Sequence, residues 1–329
     1  MLALPSGTRT DVPTSVRVEL LNDTDVAAAL DHDSAIASQR LAFTALGRGE
    51  AQLAPKSAIR TGEDTVLSYL SRLSPRHGPV AKLVSVNPGN AERGLASISA
   101  TVLVLDAETG TPIATMAGTT LTEIRTAAGS AVAVDALAPA EADVLAVIGS
   151  GVQARAHVRA IARVRALREV RIHSRDPARR EAAAAELAAE LGLHVRPAGT
   201  PAEAVRGAGV VAACTLSAEP VVPTSDLAPG ATVVSVGSFE PHRREVDGEL
   251  LRAAATIVVD DTDTAVHHAG PIMTALAEGE LTRDGITPLG AVLTGQAPGR
   301  KTPEDLVFYN SVGIGVQDAA AALAVLGAL

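Results

Sequence analysis

The chain of 329 residues has no tryptophan, two tyrosines, three phenylalanines and one cysteine. Lysine occurs only at positions 56, 82 and 301. Aromatic residues make up 2% of a sequence that is 47% hydrophobic, so a large core is available and it must be aliphatic. With Cys214 alone, an intrachain disulfide and a cysteine metal cluster are both excluded. A net charge of −9 argues against general binding to nucleic acid or to an anionic membrane. No stretch reads as a signal peptide or a membrane span, and no internal repeat stands out beyond alanine enrichment. These absences leave a cytoplasmic protein, long for one domain and comfortable for two.

The clearest positive feature begins at Asp143. The apolar run Val144 to Ile148 reads as a strand buried on both faces. Gly149-Ser-Gly-Val-Gln-Ala154 follows, in the G-x-G-x-x-A form of the dinucleotide fingerprint. In that motif Gly149 permits the tight turn, Gly151 lets the backbone approach a pyrophosphate, and Ala154 lets the helix pack closely on the strand. A breaker-poor segment to Arg165 predicts a helix whose free N–H groups face phosphates, and Glu169 to His173 completes βαβ. After this second strand, where NAD sites usually place an acid, stand Ser174 and Arg175, with Arg179 and Arg180 close behind. Hydroxyl plus guanidinium suits a 2′-phosphate, so NADP(H) is expected over NAD(H); Asp176 is the counterargument unless it caps the next helix. The strand-end loops holding Cys214 and Thr215, and Val236, Gly237 and Ser238, should also face the cofactor, with Cys214 itself a packing residue.

Met1 to Thr14 shows no periodicity and reads as a loose tail. Val16 to Leu21 predicts a strand, and Asp23 to Leu46 one helix with Val26, Leu30, Ile36, Leu41 and Phe43 as its apolar positions. Asn22 or Thr24 could cap that helix. Strands are expected over 57–60, 66–73, 80–86, 101–105 and 112–116, with a hairpin turn at Asp106 to Gly110. Strands without intervening helices imply a mixed sheet. Leu121 to Leu137 predicts a small-residue helix joining the two halves. Beyond the fingerprint, α/β alternation continues, with helices over 178–191 and 201–205 and strands over 194–196, 210–213, 232–236 and 256–259. Asn310 to Leu329 reads as a closing helix. The fold class is therefore α/β, a Rossmann dinucleotide-binding domain plus an α+β substrate and dimerisation domain. The division places 1–121 and 307–329 in the substrate domain and 122–306 in the Rossmann domain.

Two cations stand out. Lys82 lies inside the apolar strand Val80 to Val86, where alternation puts it on the face of Val84 and Val86 and opposite Leu83. A lysine there either holds a substrate carboxylate or snorkels to solvent. Arg125 has small residues around it, so its planar fork has room to grip a carboxylate; the alternative is a salt bridge to Glu123 or another acid. His267 and His268 beside Asp260, Asp261 and Asp263 lack ligand spacing, read as a solvated loop, and leave no metal expected.

At Lys82 to Asn90, Asp106 to Gly110, Leu121 to Ala128, Ile148 to Ala154, Val236 to Pro241 and Arg244 to Asp247, the sequence resembles the ornithine cyclodeaminase/mu-crystallin family. The resemblance runs from about Val18 to the closing helix. It implies a homodimer formed through the mixed sheet of the substrate domain, a Rossmann domain that binds NAD(P), and a small amino- or imino-acid substrate. Lys82 and Arg125 match the family's substrate-carboxylate contacts and are the candidate catalytic residues. Gly149, Gly151, Val152 and Gln153 match its cofactor loop, and Thr126 joins the cofactor contacts. Two departures matter. Phe239 stands where cyclodeaminases carry an acid that works on the amine, with Glu240 one place off and expected to point elsewhere. Lys56 stands where many members have arginine, so one carboxylate contact is either Lys56 or displaced to Arg60. The implied activity is an NAD(P)H-dependent reductase of a small cyclic imino acid, of ketimine or Δ1-pyrroline-2-carboxylate type, or a related amino-acid dehydrogenase. The alternatives are a cyclodeaminase lyase with bound NAD+ and a non-catalytic nucleotide-bound ligand carrier.

Overall fold

The computed structural model describes residues 17–96 and 98–329, so the tail Met1 to Thr14 lies outside the described residues. Strands β1 (Glu19–Leu21), β2 (Gln52–Leu53), β3 (Ser57–Thr61), β4 (Asp64–Arg72), β5 (Val80–Val86), β6 (Ile98–Leu105) and β7 (Pro112–Ala117) form one sheet in the order β1-β7-β6-β5-β4-β2, with β3 on β4. Only β1 pairs in parallel, with β7; the rest are antiparallel, giving the mixed sheet expected. The β6–β7 turn closes because Asp106 accepts from the amides of Glu108 and Thr109 and from the Thr109 hydroxyl.

The single helix expected over 23–46 is two: α1 (Asp23–Ala29) and α2 (His32–Gly47). Asn22 caps the first through the amides of Thr24 and Asp25, and Asp31 caps the second through Ser34. The strong N-cap at Asp31 starts a new helix where periodicity alone runs through. Leu41, expected on the apolar face, is exposed, while Val26, Leu30 and Phe43 are buried.

Helix α3 (Gly118–Leu137) leads out of this sheet and is buried over most of its length. Its alanines, glycines and serine let neighbours approach closely on several sides. At Gly129 a Cβ would meet the Gln317 side chain at 2.5 Å.

The second sheet is built from β8 (Val144–Ile148), β9 (Glu169–His173), β10 (His194–Pro197), β11 (Val210–Ala213), β12 (Thr232–Ser235), β13 (Thr256–Val259), β14 (Ile286–Pro288) and β15 (Val307–Asn310). Helices α4 (Val152–Val164), α5 (Pro177–Leu191), α6 (Pro201–Val205), α7 (Gly248–Ala253), α8 (Thr262–His268), α9 (Gly270–Ala277) and α10 (Leu289–Leu293) alternate with these strands. Helix α11 (Gly315–Val325) closes the chain. The order is β10-β9-β8-β11-β12-β15-β13-β14 and every pairing is parallel. Strand order reverses between β8 and β11, the switch point at which doubly wound sheets bind ligands.

Three further readings change. Val307 to Asn310, assigned to the substrate domain and partly to a closing helix, is a strand between β12 and β13, so the chain leaves the Rossmann sheet only after Asn310. A four-residue apolar run next to an apolar helix carries no period of its own, which hides the strand. The stretch with His267 and His268 is helix α8, capped by Asp261 through Thr264, rather than a loop. Strand β14 and helices α7, α9 and α10 are short and were not anticipated. Helix α10 packs on α2 with Gly290 facing Gly47 so closely that neither position admits a side chain.

Candidate active site

Lys82 sits on the inner face of β5, directly across from Tyr69 on β4. Alternation places it as expected: Lys82 is buried, and Leu83 faces out. Its ammonium lies 4.6 Å from the Tyr69 ring centre and 3.4 Å from the Thr122 hydroxyl. The group it meets most closely is Asp318 of α11, whose Oδ1 is 2.7 Å from Nζ. Arg125, on the first half of α3, donates from Nε to the same oxygen at 2.9 Å. Lys82, Arg125 and Asp318 are 2%, 4% and 1% exposed, so the cluster is dry. Burial pushes Lys82 down to about 8, although Asp318 opposes the shift. Lys82 does not snorkel to solvent, and Arg125 pairs with an acid other than Glu123, as its alternative reading allowed.

The Lys56 ammonium lies 5.9 Å from the Tyr69 ring centre and is likewise pushed down to about 8 by burial. Arg60, the other alternative, is exposed on β3. The charges acting on Lys56 include Glu240 and Asp260 of the Rossmann half and Arg125 of the other. The Glu240 carboxylate pairs with Arg243 at 2.7 Å. Phe239 is half-buried beneath the Arg243 guanidinium.

The loop from β15 to α11 is shaped by Asp260, fully buried at the end of β13. It accepts from the Tyr309 and Ser311 hydroxyls and from the amides of Val312 and Gly313. Gly313, at φ +74, lies against Arg125, where a Cβ would sit 3.3 Å from both terminal nitrogens. A side chain there is strained by the backbone conformation and would push the guanidinium aside.

The fingerprint turn lies at the switch point. Gly149 has φ +124 and donates its amide to His173. Gly151 caps α4 with no side chain bonding the helix's first amides, and a Cβ there would meet open space. Val152 is exposed and Gln153 half-buried at the same helix start. Uncovered amides at the end of a 13-residue helix, beside a glycine that leaves room, fit a pyrophosphate. Ser174 bonds Ser150 across the turn at 2.9 Å, and Arg175 and Arg179 are exposed beside it. Asp176 caps α5 through the Arg179 amide, as the alternative to ribose binding required. Thr126, on α3, bonds back to the Thr122 carbonyl.

The two strand-end loops are tied together by Glu245, a residue the sequence reading passed over. It accepts from the Thr215 amide and hydroxyl, the Ser235 hydroxyl and the amides of Val236 and Gly237. Burial still pushes its carboxyl up to about 6. Ser238 is fully buried and bonds Ser235 and the Glu245 amide, so its hydroxyl braces the loop. Gly237 packs on the Thr215 carbonyl with no room for a side chain. The Cys214 thiol is pushed well up by burial, which suits packing. Among the described residues no three His, Cys, Asp or Glu side chains gather as a metal site.

Asp318, Tyr69 and Asp260 were also missed. Asp318 had a signal: it is the single charge in the apolar, alanine-rich stretch Val312 to Leu329. A charge at such a position needs a partner.

A Rossmann sheet with an open fingerprint turn, facing a second domain that buries a lysine and an arginine, defines a nicotinamide-cofactor protein with a small polar substrate cleft. The chain belongs to the ornithine cyclodeaminase/mu-crystallin family, whose description residues 14–328 match. It is 33% identical to the ketimine reductase mu-crystallin of Mus musculus over 241 residues, 73% of each chain. The fold superposes with a TM-score of 0.90 on Thermococcus litoralis Δ1-pyrroline-2-carboxylate reductase in complex with NADH and L-proline, at 29% identity, covering 94% of this chain and 97% of that one. An archaeal alanine dehydrogenase dimer with bound NAD gives 0.88 at 28% identity, covering 94% and 95%.

Proposed function

We propose that the protein is an NADPH-dependent reductase of a small cyclic imino acid, of ketimine or Δ1-pyrroline-2-carboxylate type, or catalyses the related amino-acid dehydrogenase reaction. The observation that carries this reading is the convergence of two buried cations, Lys82 and Arg125, on one point beside Tyr69. Lys82, Arg125 and Lys56 offer donors to a substrate carboxylate, and the Tyr69 ring near both lysines gives a flat wall. A bound nicotinamide supplies hydride to the carbon that bears the carboxylate. A protonated imine is already electrophilic, so these residues need to orient it and exclude water more than to donate a proton.

Ser174, Arg175 and Arg179 support NADPH over NADH, because Asp176 is engaged as a helix cap. Thr126, Gly149, Gly151, Val152, Gln153, Thr215, Val236 and Gly237 remain the proposed cofactor contacts, with Cys214 and Ser238 behind them. Phe239 is kept as a proposed substrate contact.

A homodimer is supported by the outer face of the first sheet. Leu20, Thr115, Leu103, Ala81 and Leu70 form one row across it, with exposed Leu83 between Ser68 and Thr101 in the next row. A leucine-rich row on a sheet face is normally covered. The related archaeal alanine dehydrogenase is a dimer. No helix of the described residues is long and apolar enough to cross a membrane, and the reading places the enzyme in the cytoplasm.

Glu240 favours a second reading. An acid one place from Phe239, whose charge acts on Lys56, would attend a departing amine in a cyclodeaminase. A spectrophotometric screen of cyclic imino acids, and of 2-oxo acids with amines, against NADPH and NADH tests the first reading. Stoichiometric cofactor oxidation supports it. Ammonia release from a diamino acid with no net cofactor change supports the second, and neither outcome in any mixture removes both.

A further inference from the structure

Three buried acids occupy the region between the two sheets, and they differ in one respect. Asp260 and Glu245 have both oxygens hydrogen-bonded. Asp318 has one oxygen shared by two cations and a second, also buried, with no partner. An acid present only to brace the fold is satisfied at both oxygens, as the other two are. The cluster of Lys82, Arg125 and Asp318 also carries one more positive than negative charge in a dry place. Such an excess is unfavourable until an anion balances it.

We propose that Asp318 is the positioning residue of the carboxylate clamp: its shared oxygen sets Lys82 and Arg125 side by side and keeps the lysine charged for an incoming carboxylate. This rests on the reading of the cleft as a carboxylate site and goes beyond it by assigning the residue that organises the site. The helix supplying Asp318 is held against the cleft by the Asp260-braced loop, so the acid's place is set by the fold. The groups that face Lys82 are Tyr69 from β4, Thr122 and Arg125 from α3, Asp318 from α11, and Lys56 ahead of β3. Of these, Asp318 is the one whose charge favours the ammonium.

The test is calorimetric titration of the NADPH-loaded protein with pyrrole-2-carboxylate, a planar carboxylate that cannot be reduced in the assay, from pH 6 to 10. Wild type, Asp318→Asn and Asp318→Glu are compared, with melting temperature and NADPH affinity as controls. Asp318→Asn is expected to weaken binding roughly tenfold or more at pH 8 and to move the alkaline midpoint of binding to lower pH. NADPH affinity should stay as in wild type. Asp318→Glu keeps the charge but moves the oxygen, so binding weakens while the midpoint stays; this arm serves if the asparagine variant does not fold. Wild-type affinity and midpoint in either variant overturns the proposal while the clamp stands. Failure of wild type to bind the probe removes the clamp, and this inference with it.

Discussion

The backbone of Gly149 faces the carbonyl oxygen of Cys214 so closely that a Cβ on the glycine would lie 2.5 Å from it. The first glycine of the fingerprint is therefore needed by the neighbouring strand as well as by the turn. The second, Gly151, has φ −80 and open space around it, so only a ligand needs its small size. Gly149→Ala should lower the melting temperature sharply, since left-handed strain alone is about 1–3 kcal/mol. Gly151→Ala should leave melting unchanged and weaken NADPH binding. Equal loss of stability in both variants contradicts this division.

His157 on α4 is fully buried between the Gln153 carbonyl and the Ser130 hydroxyl of α3, and burial pushes it down to about 4. Between pH 6.5 and about 4 the unfolded chain binds a proton that folded His157 does not. Stability is thus lost as pH falls through this window, by on the order of 3 kcal/mol in full. Chemical denaturation of wild type and His157→Gln should give curves that converge as pH falls from 6.5 to 4. Parallel curves would show that His157 does not titrate this way.

Lys82→Met removes one cation from the clamp and leaves Asp318 with Arg125. Loss of a charge-assisted hydrogen bond to substrate, about 1.5–3 kcal/mol, lowers kcat/KM roughly tenfold to a few hundredfold. Because Arg125 stays paired with Asp318 and the excess buried cation is gone, melting temperature should hold or rise, while NADPH affinity holds. An active variant with wild-type kcat/KM takes Lys82 out of the site.

Arg175→Ala should weaken NADPH by roughly tenfold and leave NADH unchanged, because a guanidinium contact to the 2′-phosphate is lost. Fluorescence titration with both cofactors reads this directly. A matching loss for NADH shows that Arg175 does not recognise the phosphate.

Glu245→Gln places an amide among five donors and should loosen both strand-end loops. The expected result is a lower melting temperature and weaker NADPH binding, with pyrrole-2-carboxylate binding retained once cofactor is saturating. Unchanged NADPH affinity would confine Glu245 to the fold.

Much of this was legible because local chemistry and global position agree. Val144 to Ile148 is apolar throughout because both faces of β8 are covered, and Lys82 breaks the pattern of β5 at an inward position. What was not legible depends on contacts distant in sequence. Asp318 is 236 residues from Lys82, and nothing near either residue names the other. The break between α1 and α2 rests on one side-chain oxygen, of Asp31, within an otherwise helical pattern.

Helix α3 carries Arg125 of the clamp and, five positions on, Ser130, which bonds the cofactor helix through His157. At 1.5 Å per residue these points are about 7.5 Å apart along the axis. The helix is thus a ruler: the offset between the substrate's carboxylate and the helix that receives the dinucleotide is written in its residue count, with no hinge between them. One residue inserted between Arg125 and Ser130 would turn one end by about 100° against the other, leaving two sites that bind their ligands out of register.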